Sequence, residues 1–356
     1  MTKKQVVKVV AFCLIALIMT ASLCDLFDYE NTKNFSRRFY TYTKLEENTV
    51  DAVYIGTSGV DRFWIGAQAY EDYGMTVYPL STDSMPTWLY TSVMDYAFKY
   101  QNPELIILDA RAFCKDDSIE NMDARARRVL DSMEFGTKPF FKAAFRTMEE
   151  RHKLDNEEPE FDLSYLFSII RYHSKWVEED VEAFAKNVGK HSNLYAGFYM
   201  DKNLTTKISP QTPVPYDSTV VEKIDQSCED AFYEIIEYAK EKDVKILFVD
   251  TPQFKNTREL GRINYVLDMF EKAGVDYLTY DRMDSVGGFT IDFDYSKEFY
   301  NAGHVNFDGA IKFTDVFAKY LDENYDLPDR RNDESVKKYW DGKYDVIKAK
   351  IAEWKK

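Results

Sequence analysis

Five short apolar runs constrain the fold of this chain more than any other feature of its sequence. Each run is compact and ends near a glycine, a proline or an aspartate, as buried β-strands do. The runs occupy residues 51–56, 75–80, 104–109, 244–250 and 275–281. Segments with apolar residues at helical spacing lie between and after them. This alternation predicts an α/β fold with a doubly wound, five-stranded parallel sheet and right-handed crossovers.

A long segment, residues 116–226, interrupts the alternation. It is charged, aromatic and mostly helical in pattern, with a proline-rich loop at residues 209–215. A connection of this length usually has structure of its own. We therefore expect a helical insertion or cap over the strand edge, an α/β domain built from residues 28–115 and 227–325, and a peripheral helical tail at residues 326–356.

The N-terminus has the pattern of a membrane-targeting segment. Three lysines within the first eight residues precede an uncharged, apolar run at residues 9–24. The run lies between a signal-peptide core and a full span in length, because crossing a bilayer takes about 20 residues. No small-x-small cleavage site is evident, and Leu23 occupies the position where lipidation of Cys24 requires a small residue. We expect an uncleaved single-pass anchor at residues 1–27, with the main domain extracytoplasmic.

Charge and histidine spacing exclude several classes of function. The chain has 46 Lys and Arg residues against 61 Asp and Glu residues, a formal net charge of −15. No basic patch offsets this acidity, which argues against nucleic acid as a partner and against binding to an anionic lipid surface. The insertion's histidines, His152, His173 and His191, lack ligand spacing. We therefore predict no metal site and no cofactor.

Two short segments have the residue types of a nucleophile and its base. The segment IGTS, residues 55–58, spans the end of the first predicted strand and the turn after it, and NAGH, residues 301–304, precedes the last predicted helix. Ser58 is expected at the carboxyl end of its strand, where open α/β sheets build their sites. A serine hydroxyl becomes a good nucleophile when an imidazole accepts its proton, and His304 supplies that imidazole.

These segments resemble the membrane-anchored branch of the SGNH (GDSL-like) hydrolase superfamily. That branch includes proteins associated with D-alanylation of teichoic acids and O-acetylation of exopolysaccharides. The resemblance covers about residues 50–115 and 244–322, and it is strongest in residues 54–58, 100–109 and 299–306. It implies a flavodoxin-like sheet, with Ser58 as the nucleophile and His304 as the base.

The third catalytic position departs from the family pattern. The family places an aspartate three residues before the histidine, whereas this chain has Asn301. An asparagine carbonyl can orient a ring N–H, but it cannot offset the imidazolium charge, and loss of the carboxylate can cost on the order of 10⁴ in rate. We assign Asn301 the orienting role; Asp292 or Asp294, from the preceding loop, is the alternative.

The oxyanion side of the family's site is also altered. Gly59 follows the nucleophile where relatives carry a histidine, and Ser81 stands where relatives offer a glycine N–H. We assign Gly59 and Ser81 to the oxyanion and substrate side of the site. A missing oxyanion donor costs about 10² to 10³ in rate.

Three functions fit the sequence. The first is an extracytoplasmic acyl-ester enzyme, an O-acyltransferase or esterase, acting on a cell-envelope polysaccharide or teichoic-acid-like polymer. The resemblance implies a multi-spanning membrane O-acyltransferase as its partner. The second is a catalytically degenerate polysaccharide-binding or scaffolding subunit, and the third is a carbohydrate esterase acting alone.

Overall fold

A single parallel sheet forms the centre of the protein. The computed structural model describes residues 1–26, 33–115, 119–157, 159–172, 192–208, 216–280 and 291–356. The strands are β1 (Ala52–Gly56), β2 (Val77–Ser81), β3 (Leu105–Asp109), β4 (Lys245–Asp250) and β5 (Asp276–Thr279). They pair in parallel in the order β2-β1-β3-β4-β5, which is the flavodoxin-like order. The predicted five-stranded α/β fold is thus confirmed; the predicted end of the fifth strand, Asp281, lies outside the described residues.

The register brings the carboxyl ends of the central strands to one edge. Gly56 at the end of β1 pairs with Ser81 at the end of β2. On the other side of β1, Ile55 pairs with Leu108, so the turn after β3 begins beside the turn after β1. All five residues of β1 are buried, because helices cover both faces of the sheet. Side chains that follow β1 and β3 therefore meet at this edge.

Helices flank the sheet. They are α1 (Lys3–Leu26), α2 (Lys33–Tyr42), α3 (Ser58–Asp61), α4 (Gly66–Tyr73), α5 (Tyr90–Tyr100), α6 (Ile119–Leu130), α7 (Lys138–Leu154), α8 (Ser168–Tyr172), α9 (Gln226–Lys242), α10 (Thr257–Ala273), α11 (Phe307–Asn324), α12 (Glu334–Trp340) and α13 (Lys343–Trp354). The helix predicted after His304 is α11, and its buried Phe313 and Phe317 pack edge-on against Phe63 and Trp64. These aromatic contacts hold α11 against the segment that follows β1.

The first helix is exposed over residues 3–19. Within α1, a 21-residue stretch, Lys3–Leu23, is long and apolar enough to cross a membrane, and none of its most apolar part is buried inside the protein. Phe12 is 72 % exposed. Such a helix leaves its apolar surface without a protein partner, which is the situation that a bilayer relieves.

The insertion and the tail both pack on the α/β core. Helices α6, α7 and α8 belong to the insertion and match its predicted helical character over the described residues. The tail differs from the peripheral helix that we expected. It forms two helices, and Trp340 of α12 is 1 % exposed because it packs against Tyr70 and Tyr78. Before them, Arg330 binds Asp51, next to the start of β1, at 2.6 Å.

Candidate active site

The turn after β1 presents Ser58. Gly56 is required at its start, because a Cβ there would lie 2.2 Å from the Cβ of Asp109. The Asp109 carboxylate accepts a hydrogen bond from the Thr57 N–H at 3.1 Å and another from the Thr57 hydroxyl. Thr57 in turn caps α3 by accepting from the Gly59 N–H at 3.2 Å. These bonds fix the backbone on both sides of the partly exposed Ser58.

A two-stranded hairpin presents His304. Its strands are β6 (Phe299–Asn301) and β7 (His304–Val305). The Asn301 side-chain oxygen accepts from the Gly303 N–H at 2.9 Å and so closes the turn. The loop after β4 supports the turn from outside, since the Phe254 N–H donates to the Ala302 carbonyl at 2.7 Å. The imidazole therefore projects from a braced hairpin rather than from a simple loop.

The three residues predicted to act together are hydrogen-bonded in a row. Ser58 Oγ lies 2.7 Å from His304 Nε2, and His304 Nδ1 lies 2.9 Å from Asn301 Oδ1. Because the amide oxygen already accepts from the Gly303 N–H, the imidazole must donate to it through Nδ1–H. The other nitrogen, Nε2, is then an acceptor, and it faces both the Ser58 hydroxyl at 2.7 Å and Arg62 Nη1 at 3.1 Å. This is the tautomer that a general base needs.

Neither alternative aspartate takes the orienting position. Asp294 accepts hydrogen bonds from the Ser296 hydroxyl at 2.6 Å and from Lys297 at 2.6 Å, and these contacts lower its pKa to about 2. The carbonyl of Asp292 accepts from Lys312. Within the described residues, Asn301 supplies the oxygen that accepts from His304 Nδ1, at 2.9 Å.

Arginine and tyrosine side chains enclose the imidazole, and sequence reasoning missed them. Arg62 Nη1 lies 3.1 Å from His304 Nε2, and its Nη2 donates to Asp83 at 3.0 Å. The Arg62 guanidinium lies over the ring of Tyr199, which the insertion contributes, at 4.3 Å from the ring centre. On the other side, Tyr300 stacks on His304 with the ring centres 5.6 Å apart.

The surroundings keep His304 neutral. Burial lowers its pKa to about 2, helped by the positive charges of Arg62, Arg111 and Lys115. The imidazole is therefore in its basic form at every physiological pH. The same charges oppose formation of the imidazolium, and Asn301 cannot offset that charge as a carboxylate would.

The two residues assigned to the oxyanion side, Gly59 and Ser81, differ in their position relative to Ser58. Gly59 is buried beside Ser58, with its N–H directed to Thr57. Ser81 is fully buried, and its carbonyl and hydroxyl both accept from Arg38, at 2.5 and 3.2 Å. The structure thus brings Ser58, His304, Asn301 and Gly59 together, whereas Ser81 lies in the interior behind them.

Two of the missed residues had signals in the sequence. Arg62 follows Ser58 by four residues, which places the two on one face of a helix. Arg111 follows the last residue of β3 by two positions, at the strand edge where α/β sites form. For Tyr199, Tyr300 and Asp83 the sequence pattern offers no comparable signal.

A possible metal site and similarity to known proteins both bear on the function of this site. Among the described residues, no cluster of three or more His, Cys, Asp or Glu side chains is arranged to hold a metal ion. No protein-family model matches this chain, and a search of curated proteins finds no match. The function is therefore argued from the geometry of the site.

Proposed function

We propose that this protein is a serine-dependent acyl-ester enzyme with Ser58 as the nucleophile, His304 as the general base and Asn301 as the orienting residue. One observation carries the proposal: the 2.7 Å contact between Ser58 Oγ and His304 Nε2, with the other ring nitrogen held by Asn301 at 2.9 Å. A nucleophile, a base and an orienting group in hydrogen-bond sequence are the signature of acyl transfer. A fold of the SGNH type belongs to the same proposal.

The acylation step follows from the tautomer. Ser58 Oγ forms a bond to the acyl carbon of an ester while its proton passes to His304 Nε2. The tetrahedral intermediate then loses the alcohol portion of the ester. That oxygen takes the proton back from Nε2, which leaves an acyl group on Ser58 and a neutral imidazole.

Deacylation repeats the sequence with a different nucleophile. A hydroxyl group gives its proton to His304 Nε2 and attacks the acyl carbon, and Ser58 Oγ recovers the proton as it departs. With a sugar hydroxyl as acceptor the enzyme is an O-acyltransferase, and with water it is an esterase. Both outcomes use the same residues.

The location proposed for this chemistry is the outer face of the cell membrane. The exposed apolar helix α1 supports a single-pass N-terminal anchor with the α/β domain extracytoplasmic. An anchored acyl-transfer enzyme in that position suits a cell-envelope polysaccharide or teichoic-acid-like polymer as acceptor. A multi-spanning membrane O-acyltransferase would deliver the acyl group to it across the bilayer, which gives the anchor a purpose.

Labelling of the full chain in neutral detergent with a fluorophosphonate probe tests the proposal without knowledge of the substrate. We expect stoichiometric labelling that is lost in Ser58→Ala and in His304→Ala. Two matched controls, Ser335→Ala at the start of α12 and His152→Ala on α7, should label like the wild-type chain. Absence of labelling in the wild-type chain, or labelling that survives Ser58→Ala, contradicts the proposal.

A catalytically degenerate, polysaccharide-binding or scaffolding subunit is the second candidate. Two observations favour it: the orienting position holds Asn301 instead of a carboxylate, and burial, together with neighbouring cations, lowers the pKa of His304 to about 2. A chain that binds envelope polysaccharide but takes up no fluorophosphonate would support this candidate. Stoichiometric labelling at Ser58 would exclude it.

A further inference from the structure

Arg111 is a buried cation at the edge of the candidate site. It lies in the short 3-10 turn Ala110–Cys114 that follows β3, and it is 4 % exposed. Its Nη1 donates to the Thr251 hydroxyl at 3.1 Å, just beyond the end of β4. The guanidinium therefore lies at the strand edge where Ser58 is presented.

The charge of Arg111 has no counter-ion in the part of the chain that the structure describes. No carboxylate there forms an ion pair with the guanidinium, and Nε is buried without a hydrogen-bond partner. Asp109, two residues away, is engaged elsewhere: Oδ1 accepts from the backbone N–H of Arg111 at 3.0 Å, and Oδ2 accepts from the Thr57 N–H at 3.1 Å. A buried charge without a partner is costly, and proteins keep one where a ligand supplies the opposite charge.

Two glycines open the guanidinium to the reacting groups. A Cβ on Gly59, next to Ser58, would lie 3.0 Å from Nη1 of Arg111. A Cβ on Gly303, next to His304, would lie 3.6 Å from Nη2. The guanidinium thus lies against the backbone beside both the nucleophile and the base. A side chain at position 59 would displace Arg111, whereas a Cβ at position 303 would be in ordinary contact with it.

The other cations of the site are already paired. Arg62 binds Asp83 at 3.0 Å, and Lys115 lies 3.6 Å from Glu259. Among the described residues around His304, Arg111 is therefore the cation that remains for a ligand. The protein as a whole carries a net charge of −15, so this positive position is local and suits a small charged group rather than a polyanionic surface.

We propose that Arg111 binds a negatively charged oxygen beside Ser58, at the position bordered by Gly59 and Gly303. The oxygen has two sources: the oxyanion of a tetrahedral intermediate, or a carboxylate or phosphoryl group of the ligand. The first source rests on the proposed function, whereas the second does not. In either case a planar guanidinium takes over the donor role that Ser81, buried behind the site, does not fill.

A bound anion would also affect the base. Arg111 is one of the charges that lower the pKa of His304, after burial and Arg62. An anion on the guanidinium offsets that charge and raises the basicity of the imidazole when the ligand is in place. Binding of the anionic ligand then makes proton transfer to His304 more favourable, and protonation of His304 makes binding of the anion more favourable.

Thermal unfolding of the full chain in neutral detergent tests the anion site. Inorganic phosphate is titrated at constant ionic strength, with chloride as the balancing ion. We expect a saturable rise in Tm of several degrees in the wild-type chain, because a ligand that binds only the folded state stabilises it. The rise should disappear in Arg111→Met and be weakened in Arg111→Lys, which keeps the charge but not the planar fork.

Arg262→Met is the matched control. Arg262 is equally buried, at 3 % exposed, but it is paired with Asp225 at 3.4 Å. Its replacement should lower Tm and leave the phosphate response intact, whereas Arg111→Met should leave Tm unchanged or raise it. A wild-type chain that does not respond to phosphate, or an Arg111→Met variant that responds normally, overturns the proposal.

Turnover of a neutral ester, p-nitrophenyl acetate, separates the two sources. A fall in kcat with unchanged KM in Arg111→Met assigns the guanidinium to the oxyanion of the intermediate. Unchanged kcat with loss of phosphate inhibition assigns it to an anionic group of the ligand. If Ser58 takes up no fluorophosphonate but the phosphate response depends on Arg111, the proposed function fails and the anion site stands.

Discussion

Two buried arginines lie on opposite sides of the turn that carries Ser58, and they are treated very differently. Arg38 is 0 % exposed, and all three of its side-chain nitrogens donate: to the Gly197 carbonyl at 2.7 Å, to the Ser81 carbonyl at 2.5 Å and to Asp61 at 2.5 Å. Arg111 is 4 % exposed and donates from its side chain to one hydroxyl, that of Thr251.

The difference separates support from function. Asp61 is the last residue of α3, which begins at Ser58, so that Arg38 holds the helix of Ser58 from the buried side. Arg111 faces the backbone beside Ser58 and His304 instead. A buried arginine whose nitrogens all donate hydrogen bonds holds its neighbours in place. A buried arginine with unpaired nitrogens lowers stability but can bind a ligand.

The largest effect is expected from replacing Arg38, the fully hydrogen-bonded arginine. Arg38→Met leaves the Asp61 carboxylate buried without its partner, which should lower the free energy of unfolding by about 3 to 5 kcal/mol. Urea unfolding of the full chain measures this loss. The double variant Arg38→Met with Asp61→Leu should lose less than the single one, because no uncompensated charge remains. A single variant as stable as the wild-type chain would show that the two arginines do not differ in this way.

Near Arg111, replacement of Asn301, the residue proposed to orient His304, should have the next largest effect. Asn301→Asp keeps the acceptor for His304 Nδ1 and for the Gly303 N–H, and it adds a charge that stabilises the imidazolium. We expect the second-order rate of fluorophosphonate labelling to rise by about 10-fold or more, against the order of 10⁴ known for carboxylate loss in a serine enzyme. Asn301→Ala should lower it. Equal rates in both variants would show that the third position does not orient the base.

Replacement of Arg62 tests how far the pKa of His304 depends on the neighbouring cations. In the wild-type chain His304 has a pKa of about 2, well below its usual 6.5, so labelling should not decline as the pH falls from 8 to 5. Arg62→Gln removes a charge 3.1 Å from Nε2 and raises the pKa of His304, which moves the acid decline to higher pH. The pH dependence of the labelling rate measures the shift. Arg146→Gln, on α7, is the control, and identical profiles for Arg62→Gln and wild type would contradict the assignment.

The same low pKa has a consequence for stability. The folded state binds a proton at His304 less readily than the unfolded chain, in which histidine titrates near 6.5. The contribution of His304 to stability is therefore complete above pH 6.5 and is lost progressively as the pH falls below it. His304→Phe should reduce the acid sensitivity of Tm between pH 6.5 and 4. An unchanged acid dependence of Tm would place the destabilising titration elsewhere.

The smallest effect is expected at the two glycines. A Cβ on Gly59 would lie 2.8 Å from the Thr251 hydroxyl and 3.0 Å from Arg111, whereas a Cβ on Gly303 would lie 3.6 Å from Arg111. Gly59→Ala must displace the guanidinium, and Gly303→Ala need not. We expect Gly59→Ala to reduce the phosphate-dependent rise in Tm by more than Gly303→Ala does. Equal reductions would indicate that access to Arg111 does not pass through Gly59.

Local sequence pattern was sufficient to predict the sheet. Each observed strand begins and ends within about two residues of an apolar run, because a parallel strand buried on both faces needs continuous apolar residues. The proximity of Ser58 and His304 was predictable for a related reason. The turn after β1 and the loop before the last helix lie at the same edge of the sheet, where the carboxyl ends of parallel strands meet, although the two residues are 246 positions apart.

Other parts of the fold depended on contacts that no local pattern encodes. The tail was expected at the periphery, yet Trp340 packs against Tyr70 and Tyr78, which come together only after the sheet has formed. The hairpin of β6 and β7 escaped prediction because its strands are three and two residues long. Periodicity is not detectable over so few residues.

The sequence by itself determined where the strands lie along the chain, the apolar helix at the N-terminus and the identity of Ser58, His304 and Asn301 as a candidate set. Only the tertiary structure decided which charges remain unpaired. Arg38 and Arg111 are indistinguishable as arginines in a sequence, and their roles differ because Asp61 lies beside one of them and glycine backbone beside the other. Electrostatic roles depend on distances of a few ångströms between distant parts of the chain, whereas apolar periodicity is a property of neighbouring residues.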